Sequence, residues 1–471
     1  MPAATSPGPF VAETPTASVA AGRVGCSAGV SAVVPVARGW LVMAVGSLIV
    51  AGLLSLAVVV GRLPVLSAWI GDPLFFKRCL VVHVDLALVV WFYAFASGLL
   101  AAGVRQPGGL AGWAGPLVAL GGVGAMLAGG LVRGAQPVLA NYVPVIDHPL
   151  FLAGLALFFC GLVASLLAML MRPSEGGLVP PAAMAGLRAA AIAIVLACAT
   201  WVSAMAGLPA GLDAWTRYEF SAWGAGHVLQ VANTCAMLAV WLWLLERATG
   251  RPVLSPIAAR WLMTALVAPH FAMPLLTLRG TLNNLYHDGA TQLMRWGIFP
   301  VVLVVLALGA RHLWRWREGG GAGRSVWLSG LAASAGLAVF GMVLGACIRG
   351  SNTLVPAHYH ASLGAVTAAF MAAAYLVVGP AGAADGWRAP RWQIALYGVG
   401  QVIFALGFAI GGAHGLGRKE YATEQHVRSA GEYAGLIVMG LGGLVAVAGG
   451  VWFLVLIVRR MARWRRGAAA A

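Results

Sequence analysis

Residues 354–380 read LVPAHYHASLGAVTAAFMAAAYLVVGP, and this stretch decides how the rest of the chain is read. It contains no Asp, Glu, Lys or Arg. At about 1.5 Å per helical residue it can cross the ~30 Å hydrocarbon core of a bilayer. Similar runs recur near 39–61, 75–103, 110–132, 148–171, 181–207, 219–245, 256–278, 289–313, 324–348, 392–414 and 431–458, which makes twelve spans. Of 471 residues, 61% are hydrophobic and 9% charged, whereas soluble domains carry about 25% charged residues. Lipid must therefore be the solvent for most of the surface. A strand-built barrel is excluded, because the runs are continuous rather than alternating. The expected fold is all-α: a polytopic membrane protein with twelve transmembrane helices in one domain, 39–458.

A net charge of +16 is compatible with nucleic-acid binding, but the basic residues cluster in alternate loops. Arg247, Arg251 and Arg260 follow span six, Arg311, Arg315, Arg317 and Arg324 follow span eight, and Arg388 and Arg391 follow span ten. With the basic tail 459–471, they all face one side if both termini are cytoplasmic, as the positive-inside bias requires. No nucleic-acid partner is implied, and the expected location is a bacterial inner membrane. Residues 1–38 are rich in Ala, Pro, Ser and Thr and lack a basic start with a compact apolar run; they read as a disordered cytoplasmic tail. Five of the six cysteines, Cys79, Cys160, Cys198, Cys235 and Cys347, lie within or at the ends of spans, and no CxxC or CxxCH occurs. They read as small packing residues.

Ionisable side chains inside a bilayer are costly and by default mark function. Five histidines sit inside spans: His83, His227, His270, His358 and His360. The topology puts His83, His227 and His270 roughly 12–13 Å below the outer ends of spans two, six and seven, and His358 and His360 roughly 6–9 Å below that of span ten. Within boundary error they share one outer slab. Any one of them alone could be a helix-packing histidine, but five at a common depth, with almost no carboxylates to pair with, point to metal or haem iron. Residues two apart on a helix point about 200° apart, so His358 and His360 offer imidazoles to opposite sides. One helix can thus stand between two haems.

These residues make the chain resemble subunit I of the haem–copper oxidase superfamily, which includes cytochrome oxidases and bacterial nitric oxide reductases. The likeness covers residues 39–458. It implies that His83 and His360 are the axial pair of a low-spin haem and that His358 is the axial ligand of a high-spin haem. It further implies that His227 in Trp223-Gly224-Ala225-Gly226-His227, together with His270, ligates a copper or non-haem iron. Gly415-Leu416-Gly417-Arg418-Lys419-Glu420-Tyr421 resembles the family's basic pair, so Arg418 and Lys419 would hold haem propionates.

The second-metal site departs from the family. Its two adjacent span-seven histidines are here Pro269 and His270, leaving two obvious ligands, with His287 in the following loop as a candidate third. No tyrosine stands at the oxidase positions: Val231 is four residues after His227, and Thr264 and Ala265 precede His270. Where nitric oxide reductases place glutamates, span six offers Gln230, Asn233 and Thr234, with Glu219 about two turns above His227. Asp85 is the one carboxylate near the haem region. His148, His312, His414 and His426 read as surface residues.

The resemblance implies a respiratory terminal oxidoreductase that passes electrons from a low-spin to a high-spin haem, where O2 is reduced. A separate electron-donating subunit, cytochrome c or a quinol would feed it. Alternatives are a nitric oxide reductase-like subunit acting on NO, or a non-catalytic dihaem redox relay or sensor. A transporter using proton-relay histidines accounts less well for the HxH and the basic pair. The inner halves of spans two, six, eight and ten read Leu-Val-Val-Trp, Ala-Val-Trp-Leu, Leu-Val-Val-Leu and Ala-Ala-Tyr-Leu. With only Tyr93 and Tyr375 to titrate there, a poor proton pump is expected.

Overall fold

In lipid every backbone polar group must be satisfied within the chain, so the apolar runs fold as helices. The structure is a computed structural model that describes residues 33–60, 72, 74–106, 109–175, 177–319, 325–378, 388–418 and 427–469. Its helices are α1 (Pro35–Val60), α2 (Phe75–Ala102), α3 (Gly109–Leu131), α4 (Pro149–Leu170), α5 (Pro181–Ala206) and α6 (Ala214–Thr249). Then follow α7 (Pro256–Val267), α8 (Ala272–Thr277), α9 (Asn284–Glu318), α10 (Val326–Cys347), α11 (Leu354–Val378), α12 (Arg388–Ala413) and α13 (Ala430–Ala469). The protein is an all-α polytopic membrane bundle.

Among the described residues eleven helices, not twelve, are long and apolar enough to cross a membrane. The difference is the seventh span. There α7 gives way to a 3-10 turn at Ala268–Phe271 before α8 resumes. Pro269 has no N–H to donate and its ring crowds the preceding turn, so the helix tightens there, at His270. Helical structure also extends into both tails. It begins at Pro35 rather than after residue 38, and α13 continues through Ala469 instead of ending at 458.

Successive helices pack as antiparallel pairs: α1 with α2, α3 with α4, α5 with α6, α10 with α11, and α12 with α13. The apolar windows of α6, α11 and α2 are 83%, 78% and 72% buried, against 28% for α1 and α13. The central helices are thus the ones that carry His227, His358, His360 and His83. The α3–α4 pair touches backbone to backbone: a Cβ added at Gly122 would lie 2.4 Å from the Phe158 nitrogen. Gly122→Val should therefore destabilise the protein by about 1–3 kcal/mol, the range for overpacking. A lowered thermal midpoint in detergent is the measurement.

At the end of the bundle nearest the histidines, a short hairpin joins α3 to α4. Its strands, β1 (Gln136–Val138) and β2 (Val145–Asp147), are antiparallel, with Pro137 opposite Ile146. Its tip, residues 139–144, lies over the start of α6. At the same end Arg78, 1% exposed, is paired with Asp72 and donates from Nε to the Gly130 carbonyl at 3.0 Å. The Arg78 hydrogen bond holds the Asp72 carboxyl below its ordinary value, against a smaller desolvation effect.

Candidate functional site

Four of the five intramembrane histidines are oriented in the same way. Nδ1 of His83 donates to the Ala51 carbonyl at 2.8 Å, and that of His227 to Trp223 O at 2.8 Å. Nδ1 of His270 donates to Leu266 O at 3.0 Å, and that of His358 to Gly341 O at 2.7 Å. A carbonyl can only accept, so Nδ1 carries the proton in each ring and Nε2 keeps a lone pair. A hydrogen bond of this kind, from the ring N–H to a carbonyl, fixes tautomer and ring direction in metal-ligating histidines. His270 is fully buried, with its ring against Gly297 of α9 and a backbone hydrogen bond to Leu293 on the same helix.

The two histidines of the HxH face different neighbours. His358 turns toward α10, where a Cβ added at Gly345 would meet its ring at 2.8 Å. His360 turns toward α12, stacked on Phe408 with ring centroids 5.3 Å apart and planes at 4°, with Phe404 edge-on at 4.9 Å. Electrostatic interaction links His360 with His83 on α2, and His227 with His270 and His287. The five thus divide into a His83–His360 group, a lone His358 and a His227–His270 group. The glycines beside them are as necessary as the imidazoles. A Cβ at Gly297 would lie 2.7 Å from the His270 ring, and one at Gly226 would lie 2.2 Å from the ring of Tyr142.

Tyr142 is the residue that sequence reasoning missed. It sits at the hairpin tip with φ at 69°, a left-handed conformation that a bulky side chain rarely adopts. Its hydroxyl lies 3.1 Å from His227 Nε2, with ring centroids 4.9 Å apart. Asn141 fixes the tip: its backbone N–H donates to Glu219 Oε2 at 2.7 Å, and its side-chain amide donates to Glu219 Oε1. Arg418 donates to Asn141 Oδ1 at 2.8 Å, and Tyr218 donates to Asp147 at 2.7 Å. Burial, followed by the Glu219 charge, pushes the Tyr142 phenol well above its ordinary value, while Arg418 pulls it back. The sequence holds no periodic signal joining position 142 to 227. The nearest hint is the pair of small residues, Gly224 and Gly226, ahead of His227.

The other candidates fall as follows. Arg418 stands at the histidine end, in a loop tied to the start of α11 through Thr353 N and Leu416 O at 3.0 Å. Lys419 and His426 lie outside the described residues. His287 bonds through Nε2 to the Thr281 carbonyl at 2.9 Å and packs against Trp223. Among the described residues no three His, Cys, Asp or Glu side chains converge as a metal-holding group, so His287 does not complete a trio with His227 and His270. Asp85 is fully buried, its two carboxylate oxygens lack hydrogen-bond partners, and it opens the π-helical turn Asp85–Val90. Such turns often mark functional positions. His148 caps α4, accepting from Leu150 N at 3.2 Å, and His312 ties α9 to Thr249 at 2.8 Å. An apolar groove of about 700 Å³ between α1 and α3 reaches Leu86, but none of the five histidines lines it.

Fold and site together define a polytopic α-helical membrane protein with five histidines in its spans, His227 and His270 buried and His83, His358 and His360 partly buried. No family model matches the chain. It is 28% identical to an uncharacterized protein of Aquifex aeolicus, over 72% of this chain and 83% of that one. It is 22% identical to an uncharacterized protein of Rickettsia prowazekii, over 90% of this chain and 96% of that one. The second likeness spans nearly the whole bundle.

Proposed function

We propose that this chain is a dihaem redox subunit of the haem–copper oxidase type, acting as a terminal oxidoreductase on O2. The observation that carries the reading is the common orientation of His83, His227, His270 and His358, each with Nδ1–H on a backbone carbonyl, the arrangement that fixes tautomer and ring direction in metal-ligating histidines. His83 and His360 would hold the low-spin haem, His358 would hold the high-spin haem, and His227 and His270 would hold the second metal. Arg418 and Lys419 neutralise propionates. Bound there, the two haems supply one-electron transfer and reduction of the gas. The protein's own part is to fix ligand geometry, exclude lipid and water, and bring protons toward the site past Glu219.

In this reading the chain lies in a bacterial inner membrane with both termini cytoplasmic, and its histidine end faces outward. An electron-donating subunit, cytochrome c or a quinol delivers electrons there. NO in place of O2 is the alternative substrate. One observation favours a second reading, a non-catalytic dihaem relay or sensor: no third His, Cys, Asp or Glu joins His227 and His270 among the described residues. Absorption spectra of the purified protein, oxidised and reduced, together with metal analysis, separate these readings. Two haems with consumption of O2 are expected. A colourless protein would overturn both haem readings, and a red protein inert to O2 and NO would leave the relay.

A further inference from the structure

The groove between α1 and α3 lies apart from the histidines, and its length and chemistry match those of a single lipid. We propose that it holds one acyl chain of an anionic phospholipid, with the phosphate paired to Arg38. This goes beyond the oxidase reading and does not depend on what the histidines bind.

The groove exists because α1 packs mainly on α2 and α3 mainly on α4. Near the start of α1 the Trp113 indole lies over Gly39, where an added Cβ would be 2.5 Å from the ring. Two turns further along α1, nothing comes within 4 Å of a Cβ added at Gly46. The lining runs from Pro35 to Val50 on α1 and from Trp113 to Leu127 on α3, roughly 21–22 Å at 1.5 Å per residue. One leaflet measures about 20–22 Å from headgroup to midplane, half of a ~40–45 Å bilayer. A chain anchored at the surface therefore reaches the far end of the groove.

Water has little to bond to inside it. The lining holds a single hydroxyl, on Ser47, and that hydroxyl already donates to the Ala44 carbonyl at 2.7 Å. Left empty, a groove of about 700 Å³ would forfeit the dispersion contacts of its walls. Charge then selects the lipid. Arg38, in the first turn of α1, is the one ionised side chain in the lining among the described residues, and Trp113 stands at the same end. Aromatic rings favour the headgroup level, and basic pockets between membrane helices attract anionic headgroups. A guanidinium pairs well with a phosphate. In a zwitterionic lipid the headgroup ammonium competes for that phosphate, so an anionic lipid is preferred.

The test uses the full-length protein in detergent, stripped of lipid and titrated with phosphatidylglycerol or phosphatidylcholine of identical chains. Native mass spectrometry follows the adducts. Other basic loops also attract phosphatidylglycerol, so the readout is the difference between wild type and variants. The tightest phosphatidylglycerol adduct should bind about fivefold more strongly than its phosphatidylcholine counterpart, the preference that one arginine near the surface supplies. Arg38→Gln should bring the two lipids to parity, and Arg38→Lys should keep most of the preference. Gly46→Phe sets a ring in the open part of the groove and should remove the tightest adduct of both lipids, with the thermal midpoint unchanged. If that variant did not fold, the two Arg38 variants would still decide. Undiminished preference in Arg38→Gln, or a tight adduct retained by folded Gly46→Phe, would overturn the proposal. So would an isoprenoid quinone that co-purified with the wild type and was lost from Gly46→Phe, because a neutral ring would then be the occupant.

Discussion

Replacing His360 by alanine should remove the bis-imidazole low-spin haem spectrum and leave the high-spin signal in place. His83→Ala should do the same, and His358→Ala should do the reverse. In the proposed reading the effect should be all or none, because each haem iron would be held by only one or two of these side chains. His360 rests on Phe408 and Phe404 and is linked electrostatically to His83. His358 faces the other way, bonded to Gly341 on α10. A helix interior tolerates alanine, and the neighbouring glycines and phenylalanines leave room for relaxation. The variants should therefore still be extracted as folded protein, which size-exclusion chromatography checks. If all three kept both signals, the division of ligands between two haems would be wrong.

The fold was legible in the sequence because a bilayer permits so few solutions. Uninterrupted apolar runs of sufficient length must be helices, and eleven of the twelve are single helices within the described residues. The break in the seventh could have been read from Pro269, yet a mean over the run does not register a local loss of one hydrogen bond. The histidines were legible for the same reason, since polar groups stand out against an apolar background. Tyr142 was not. It comes from a loop, 85 positions from His227, and its place depends on how the β1–β2 hairpin docks on α6 through Glu219 and Tyr218. That contact is tertiary and has no local period. The π-helical turn at Asp85 was likewise invisible, because π and α segments share the same composition.

The inner half of the bundle holds more polar groups than the sequence suggested. Gln393 is fully buried, accepts from the Tyr375 hydroxyl at 2.9 Å and donates to Gly449 O at 3.0 Å. One and two turns further along α12, Tyr397 interacts with Thr367 and Gln401, and Arg460 lies over the Tyr375 ring at 5.3 Å. Amides and phenols arranged in this way can pass a hydrogen bond along, but none of them takes up or gives up charge readily. Pumping requires a site that loads a proton and releases it on the other side. A lone charge at that depth would cost about 2.5–3.5 kcal/mol, and neither a carboxylate nor a lysine stands among the described residues there to bear it. The column therefore reads as interhelical packing, in which polar side chains hold α11, α12 and α13 together. Vesicles given an electron donor and O2 should show no outward proton release beyond the chemistry. With the potential collapsed, the outer medium should become alkaline as chemical protons are drawn in past Glu219. Gln393→Leu should lower thermal stability while leaving turnover unchanged. Outward acidification that disappeared in Gln393→Leu would show instead that this column conducts protons.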